Sequence, residues 1–188
     1  MIARISIILA FAVSVAGCAF QLQDSVDLPR VMQTSYVNYS GTDQHMLRSV
    51  ARALSLAGVR VSDTPENASA FLDILSADAQ RRVLLKDFAG RARETELIMW
   101  ISYRLRSPDG GTLMDVETVR RRTTVVLEPA DPLSSSGEVA SAAESLREEA
   151  VWDMLRRIAA SAETIESRAA ELERQAAEAA LENADGEM

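Results

Sequence analysis

The stretch Arg91–Leu127, RARETELIMWISYRLRSPDGGTLMDVETVRRRTTVVL, decides the fold. Its odd positions Leu97, Met99, Ile101, Tyr103 and Leu105 form one apolar face. The even positions Glu94, Glu96, Ser102, Arg104 and Arg106 are polar, interrupted by Ile98 and Trp100. Alternation with period two over this length predicts a strand, 91–106, with one face buried. Pro108-Asp109-Gly110-Gly111 then reads as a hairpin turn, because Asp-Gly tolerates the positive φ angles such turns need. Thr112–Leu127 returns as the next strand. With the turn centred on Asp109 and Gly110, Arg104 lies opposite Asp115 and Ser102 opposite Glu117. That register carried onward turns Arg120 inward, so a bulge is expected near Val119 or Arg120.

Upstream, Val31–Tyr39 (VMQTSYVNY) mixes β-branched and aromatic residues and predicts a first strand. Gly41 breaks it, and Thr42 or Asp43 can cap a helix by accepting an orphan backbone N–H. Met46, Leu47, Val50, Ala51, Leu54 and Ala57 recur at helical spacing, and Gly58 supplies a left-handed residue at the end, so a helix is expected over 43–57. Residues 59–67, with Pro65, read as a connector. Ala70–Ala79 reads as a second strand, continued by 80–90 to a hairpin tip near Lys86, Asp87 and Gly90. Downstream, Glu128–Gly137 (EPADPLSSSG) reads as a loop. From Glu138 a stripe of Val151, Leu155, Ile158, Ala162, Ile165, Ala169, Leu172, Ala176 and Ala179 steps by four and three. After Ile165 it is mostly alanine, which favours helix but buries little surface. Residues 138–162 therefore read as a packed helix and 163–182 as its weakly held continuation.

The expected order is β-α-β-β-β-α. This is an α+β two-layer sandwich, a four-stranded mixed sheet covered on one face by two helices. Its first two strands are parallel and joined by a right-handed crossover. The other face is left for a partner.

The N-terminus carries a different signal. Met1–Arg4 is a short cationic start and Ile5–Val15 (ISIILAFAVSV) an unbroken run of small and apolar residues. A membrane-spanning helix needs about 20 residues to cross ~30 Å of hydrocarbon, so this run is too short to span but fits a signal peptide. Val15-Ala16-Gly17-Cys18 resembles a bacterial lipobox. The reading is that residues 1–17 are removed and Cys18 receives S-diacylglyceryl and N-acyl (palmitate-type) lipid, enough chains for stable anchoring. By resemblance to enterobacterial sorting, Ala19 implies delivery to the outer membrane, facing the periplasm. Cys18 is the single cysteine, which excludes an internal disulfide and a catalytic thiol elsewhere. The expected organisation is a signal peptide at 1–17, a lipidated tether at 18–30, one α+β domain at 31–162 and an acidic Ala/Glu-rich tail, helical or disordered, at 163–188.

The net charge of −8 is unevenly spread. Residues 163–188 hold eight acids and two arginines, whereas residues 80–127 hold ten basic and six acidic side chains. Chemistry is harder to find. The one histidine, His45, falls in the first turn of the first helix, with no partner for general-base work. There is no Gly-rich phosphate loop, no Gly-x-Ser-x-Gly and no paired metal-ligand motif. A protein that binds or builds is expected, not an enzyme, with neither metal nor nucleic acid as partner.

Several features together resemble the LptE family. They are the lipobox, Leu28-Pro29 before the first strand, the helix ending LSLAGV, the hairpin from Arg81-Arg82-Val83-Leu84 to Gly90-Arg91, the strand ETELIMWISYRLRSPDGG, the RRR of the last strand and the helix SLREEAVWDMLRRIA. The resemblance covers about residues 18–162. It implies an outer-membrane lipoprotein that plugs the lumen of the β-barrel protein LptD and helps deliver lipopolysaccharide to the outer leaflet. The alternative is an accessory lipoprotein of another envelope lipid-transport or scaffold complex. The basic residues carry two readings. Lys86, Arg91, Arg93, Arg120, Arg121 and Arg122 are candidates for lipid A phosphates, which arginine engages through bidentate, charge-assisted bonds. Equally, charged strand residues block edge-to-edge aggregation and pair with neighbouring carboxylates. Ile98 and Trp100, apolar on the polar face, are candidate partner contacts, and Trp152 reads as a residue at the core's edge.

Overall fold

The computed structural model describes residues 26–39, 41–128 and 131–186. The signal segment, Cys18 and Ala19 lie outside the described residues. Five strands form one sheet: β1 (Thr34–Tyr39), β2 (Arg60–Ser62), β3 (Ala70–Lys86), β4 (Ala92–Arg106) and β5 (Thr112–Val126). Among the described residues three α-helices accompany them: α1 (Gln44–Leu56), α2 (Pro132–Ala160) and α3 (Ala162–Gly186). The strand order is β2-β1-β3-β4-β5, with β1 parallel to both neighbours and β3-β4-β5 an antiparallel meander.

The α+β class with a helix-covered mixed sheet holds, but the expectation of four strands and two helices is corrected to five and three. The added strand, β2, occupies part of the expected connector. Three residues at a sheet edge are too few to show an alternating pattern. The added helix arises at Ser161, whose φ/ψ of −98°/9° interrupts the helical path. The apolar stripe keeps its spacing across this break, so spacing alone reads one continuous helix. Helix α2 also begins earlier than expected, at Pro132. Asp131 caps it, its Oδ1 accepting the Ser134 N–H at 3.1 Å. Asp followed by Pro is a helix-start signal that the Ser-Ser-Ser-Gly run behind it disguises.

The core lies between the sheet and the helices. Met46, Val50 and Leu54 of α1 and Leu146, Val151, Met154, Leu155 and Ile158 of α2 are buried against Leu72, Ile74, Met99, Ile101, Tyr103, Leu105 and Val119. Asp43 caps α1 by accepting the His45 N–H at 2.9 Å, and Gly58 follows the helix at φ +84°. Helix α3 is held over its first half. Ile165 is 1% exposed, Leu172 packs on the core's margin, Glu166 accepts the Arg30 N–H at 3.0 Å and Arg168 reaches Asp115 at 3.1 Å. From Glu173 to Leu181 every residue is exposed. Truncation after residue 176 is therefore expected to leave the melting temperature within about 2 °C of the full chain. Truncation after Ser161 removes Ile165 and Leu172 and is expected to cost roughly 3 kcal/mol, on the scale of deleting a large core side chain. Thermal melts of the two truncations separate these outcomes.

Both long hairpins use the same turn. In each, a backbone N–H before the loop bonds the carbonyl after it (Asp87 to Arg91 and Ser107 to Gly111, both 2.8 Å), and the last loop residue is a glycine at positive φ, Gly90 (+80°) or Gly110 (+90°). The loops are thus three residues long, not the two-residue turn centred on Asp109 and Gly110. The pairing of β4 with β5 then shifts twice, between Arg106 and Leu105 and between Leu105 and Tyr103. Extra residues in β5 fall at 113–116, not near Val119 or Arg120. Asp115 and Val116 sit exposed in this irregular stretch, and Tyr103 pairs with Glu117.

Candidate functional interface

Because β4 is one long alternating strand, its register sorts the sheet's residues by face. Met99, Ile101, Tyr103 and Leu105 point to the helices. Trp100, Ser102, Arg104 and Arg106 point to the face that none of the described helices covers. β3 contributes Phe71, Asp73, Asp78, Gln80 and Arg82 to that open face, and β5 contributes Thr118, Arg120 and Arg122. Chemistry differs along its length.

At the β1 end the face is a tight polar and aromatic cluster. Asp73, its side chain 3% exposed, accepts from Arg104 Nε at 2.8 Å, Arg106 Nε at 2.6 Å, Arg106 Nη2 at 3.0 Å and Asn38 Nδ2 at 3.1 Å. Burial by itself would raise this carboxyl. Hydrogen bonds from Arg106, Arg104 and Asn38 outweigh it and hold the group at about 2. Arg106 also lies 5.5 Å from the centre of the Phe71 ring, and Phe71 meets Tyr36 edge to face at 5.9 Å. Nothing local in the sequence marks this cluster, since Asp73 lies 31 and 33 residues from its arginines.

In the middle of the face, Trp100 is half-buried and its indole N–H donates to Asp78 Oδ2 at 3.1 Å. Its β5 partner is Arg120. Ile98, expected beside Trp100 as a partner contact, is on this face but only 4% exposed, between its cross-strand partners Gln80 and Arg122. Glu96 is 7% exposed and paired to Arg82 at 2.8 Å.

The six candidate cations do not form one strip. Arg120 and Arg122 are exposed on the open face. Arg121 points the opposite way and bonds Asp153 of α2 at 2.9 Å, a carboxylate also approached by Arg156 and Arg157. Lys86, Arg91 and Arg93 gather at the β3–β4 tip. There Asp87 accepts the backbone N–H groups of Ala89 and Arg91 and the Arg91 side chain, all within 2.9 Å. The Arg91 backbone N–H leads the bonds that keep the Asp87 carboxyl below its ordinary value. The same tip carries Val83, Leu84, Leu85 and Phe88, exposed apolar residues to which the sequence reading assigned no binding role. Trp152 is half-buried against the core, and His45 is exposed.

Among the described residues no group of three or more His, Cys, Asp or Glu side chains is arranged to hold a metal ion. No helix among them is long and apolar enough to cross a membrane.

Comparison with known proteins places this architecture. The family model LptE, Lipopolysaccharide-assembly, matches residues 32–183. Among solved structures, the chain is similar to lipoprotein B of Nitrosomonas europaea, at 23% identity over 76% of this chain and 91% of that one, TM-score 0.62. It is also similar to a minor lipoprotein from Acinetobacter baumannii (14% identity, 70% and 94% covered, TM-score 0.59). Rare lipoprotein B of Shewanella oneidensis gives 21% identity, 69% and 96% coverage and a TM-score of 0.56. At these identities the structural likeness bears on the fold. No curated protein matches the chain.

Proposed function

The chain belongs to the LptE family of lipopolysaccharide-assembly proteins, and from that premise we propose that it is an outer-membrane lipoprotein that seats within an LptD-like β-barrel and helps deliver lipopolysaccharide to the outer leaflet. Cys18 is the lipid attachment site in this reading, and the chain works by binding, without catalysis. The observation that carries it is the sheet's open face. A five-stranded sheet with helices on one side alone leaves Tyr36, Phe71, Trp100, Arg120 and Arg122 on the other, a mixture of aromatic and cationic groups suited to a polar barrel lumen. Purification from detergent-solubilised membranes tests it. A stoichiometric complex with a large β-barrel protein is expected. Recovery with inner-membrane ATPase components instead would replace this reading with that of an accessory lipoprotein in another lipid-transport complex.

In the same reading the exposed cations at the hairpin tip contact lipid A phosphates. Arg121 is committed to Asp153, so Lys86 and Arg93 are the better carriers. A charge-assisted hydrogen bond is worth roughly 1.5–3 kcal/mol. Lys86→Glu with Arg93→Glu is expected to weaken lipopolysaccharide binding by about tenfold or more at low salt. The loss should be smaller at physiological salt, where exposed charges are screened beyond ~8 Å. Fold and barrel association should be unchanged. Equal binding by variant and parent at low salt would leave these residues as a solubilising strand surface.

A further inference from the structure

The tip of the β3–β4 hairpin combines two properties that a phosphate site alone does not require. Phe88 stands fully exposed at the apex, at 114% of the reference value, and Val83, Leu84 and Leu85 on the approaching strand are 41–49% exposed. Val83 pairs with Thr95 and Leu85 with the next residue, Glu94, across a shift in register, so Val83 and Leu85 present apolar surface on opposite faces of the ribbon. A strand that lies against one flat partner alternates instead, apolar in and polar out. Apolar surface on both faces suits an environment that surrounds the tip. The apex is also held in place, because the Asp87 carboxylate ties Ala89 and Arg91 on either side of Gly90.

Around this apolar point residues 81–94 hold five basic side chains against Asp87 and Glu94, a local excess of three in a chain of net −8. Lys86 and Arg93 are exposed. The chemistry that matches is an amphiphile with several acyl chains beneath anionic phosphates. We propose that Phe88, Leu84 and Leu85 form a wedge that enters between the acyl chains of lipopolysaccharide, while Lys86 and Arg93 hold its phosphates. The proposal rests on the lipopolysaccharide-binding reading above and adds an apolar contact to it. The aliphatic stems of Lys86 and Arg93 can lie along the chains while their charges reach the phosphate level.

The test uses the lipidated full chain, in which Cys18 is blocked by its own lipid, so that Ala89→Cys provides one free thiol for an environment-sensitive fluorophore. Leu181→Cys, on the exposed end of α3, is the reference position. Three probes are compared: acylated lipid A, its deacylated backbone with phosphates retained, and phosphatidylglycerol vesicles. Acylated lipid A is expected to blue-shift the label at 89 and leave that at 181 unchanged, and the deacylated backbone to give no shift. Adding Phe88→Ser and Leu85→Ser should weaken lipid A binding by about tenfold or more, as losing two apolar contacts implies, with an unchanged melting temperature. Undiminished binding by that variant would overturn the wedge, and so would a deacylated backbone that competes as well as lipid A. An equal shift with phosphatidylglycerol vesicles would overturn the assignment in favour of a general membrane contact. If the parent binds no lipid A by any readout, the binding reading falls and the wedge with it.

Discussion

Asp73→Ala should lower the stability of the domain by about 2–3 kcal/mol at neutral pH. Removing one partner from a buried ion pair typically costs 3–5 kcal/mol, because the charge left behind has no compensation. The smaller figure applies here because the side chains of Arg104 and Arg106 are 41% and 24% exposed and recover some hydration. For a domain of this size, a loss of that order lowers the melting temperature by roughly 5–10 °C. The effect carries a pH signature. The Asp73 carboxyl is depressed from 3.8 to about 2 in the folded chain, so its stabilisation is complete above about pH 5. It is lost as pH falls from about 4 to 2, where the folded carboxylate also takes up its proton. Urea unfolding of the parent and Asp73→Ala at pH 7 and near pH 2 checks both parts. The gap between the curves should close at the acid end. A gap under about 0.5 kcal/mol at pH 7 would mean the cluster contributes little to stability, in the range of ordinary surface pairs.

Cys18→Ala should leave the protein unlipidated, with its seat in the barrel as the one remaining hold on the outer membrane. Among the described residues no helix offers a span, and one acylated cysteine is the only anchor the sequence reading supplies. Two or more acyl chains hold a protein on a bilayer stably, and without them the chain has no lipid hold of its own. In cells depleted of the barrel protein, fractionation should find the parent with the outer membrane and the variant, exported behind a cleavable secretory signal, in the soluble periplasm. Ala19→Asp should keep the lipid but move the protein towards the inner membrane. A parent chain recovered in the soluble fraction would remove the anchor and, with it, the barrel-plug reading.

The elements legible from sequence were those whose pattern outlasts local irregularity. Strand β4 announces itself because its helix-facing residues sit at every second position for nine residues. Helix α1 does so through Met46, Val50 and Leu54 and its Asp43 cap. β2 escaped because three edge residues carry no period, and the shifts in β5 escaped because an inserted residue has no composition of its own. The division between α2 and α3 escaped for the opposite reason, since the stripe runs through Ser161 undisturbed. For the interface, the residue types were readable but their grouping was not. Arg120, Arg121 and Arg122 are adjacent in sequence and divided between two faces by the pleat. Asp73 is remote from its arginines in sequence and bonded to them in space. Val83, Leu84 and Leu85 look like core in any strand, and only the overhang of the hairpin beyond the helices leaves them in solvent.

The extra residues at 113–116 of β5 have a consequence for how this chain tolerates change. Leu105 pairs with Met114 and Tyr103 with Glu117, so Asp115 and Val116 together stand opposite Arg104 alone. Deleting Val116 would leave one residue opposite one and keep every later pair. Arg120 would stay opposite Trp100 on the open face and Val119 opposite Ile101 under the helices. This irregular stretch is therefore a spare link in the strand, able to lose a residue without the exchange of faces that a slip of one position brings. With the turns at 88–90 and 108–110, it is where a change in length leaves the facing of the long strands alone.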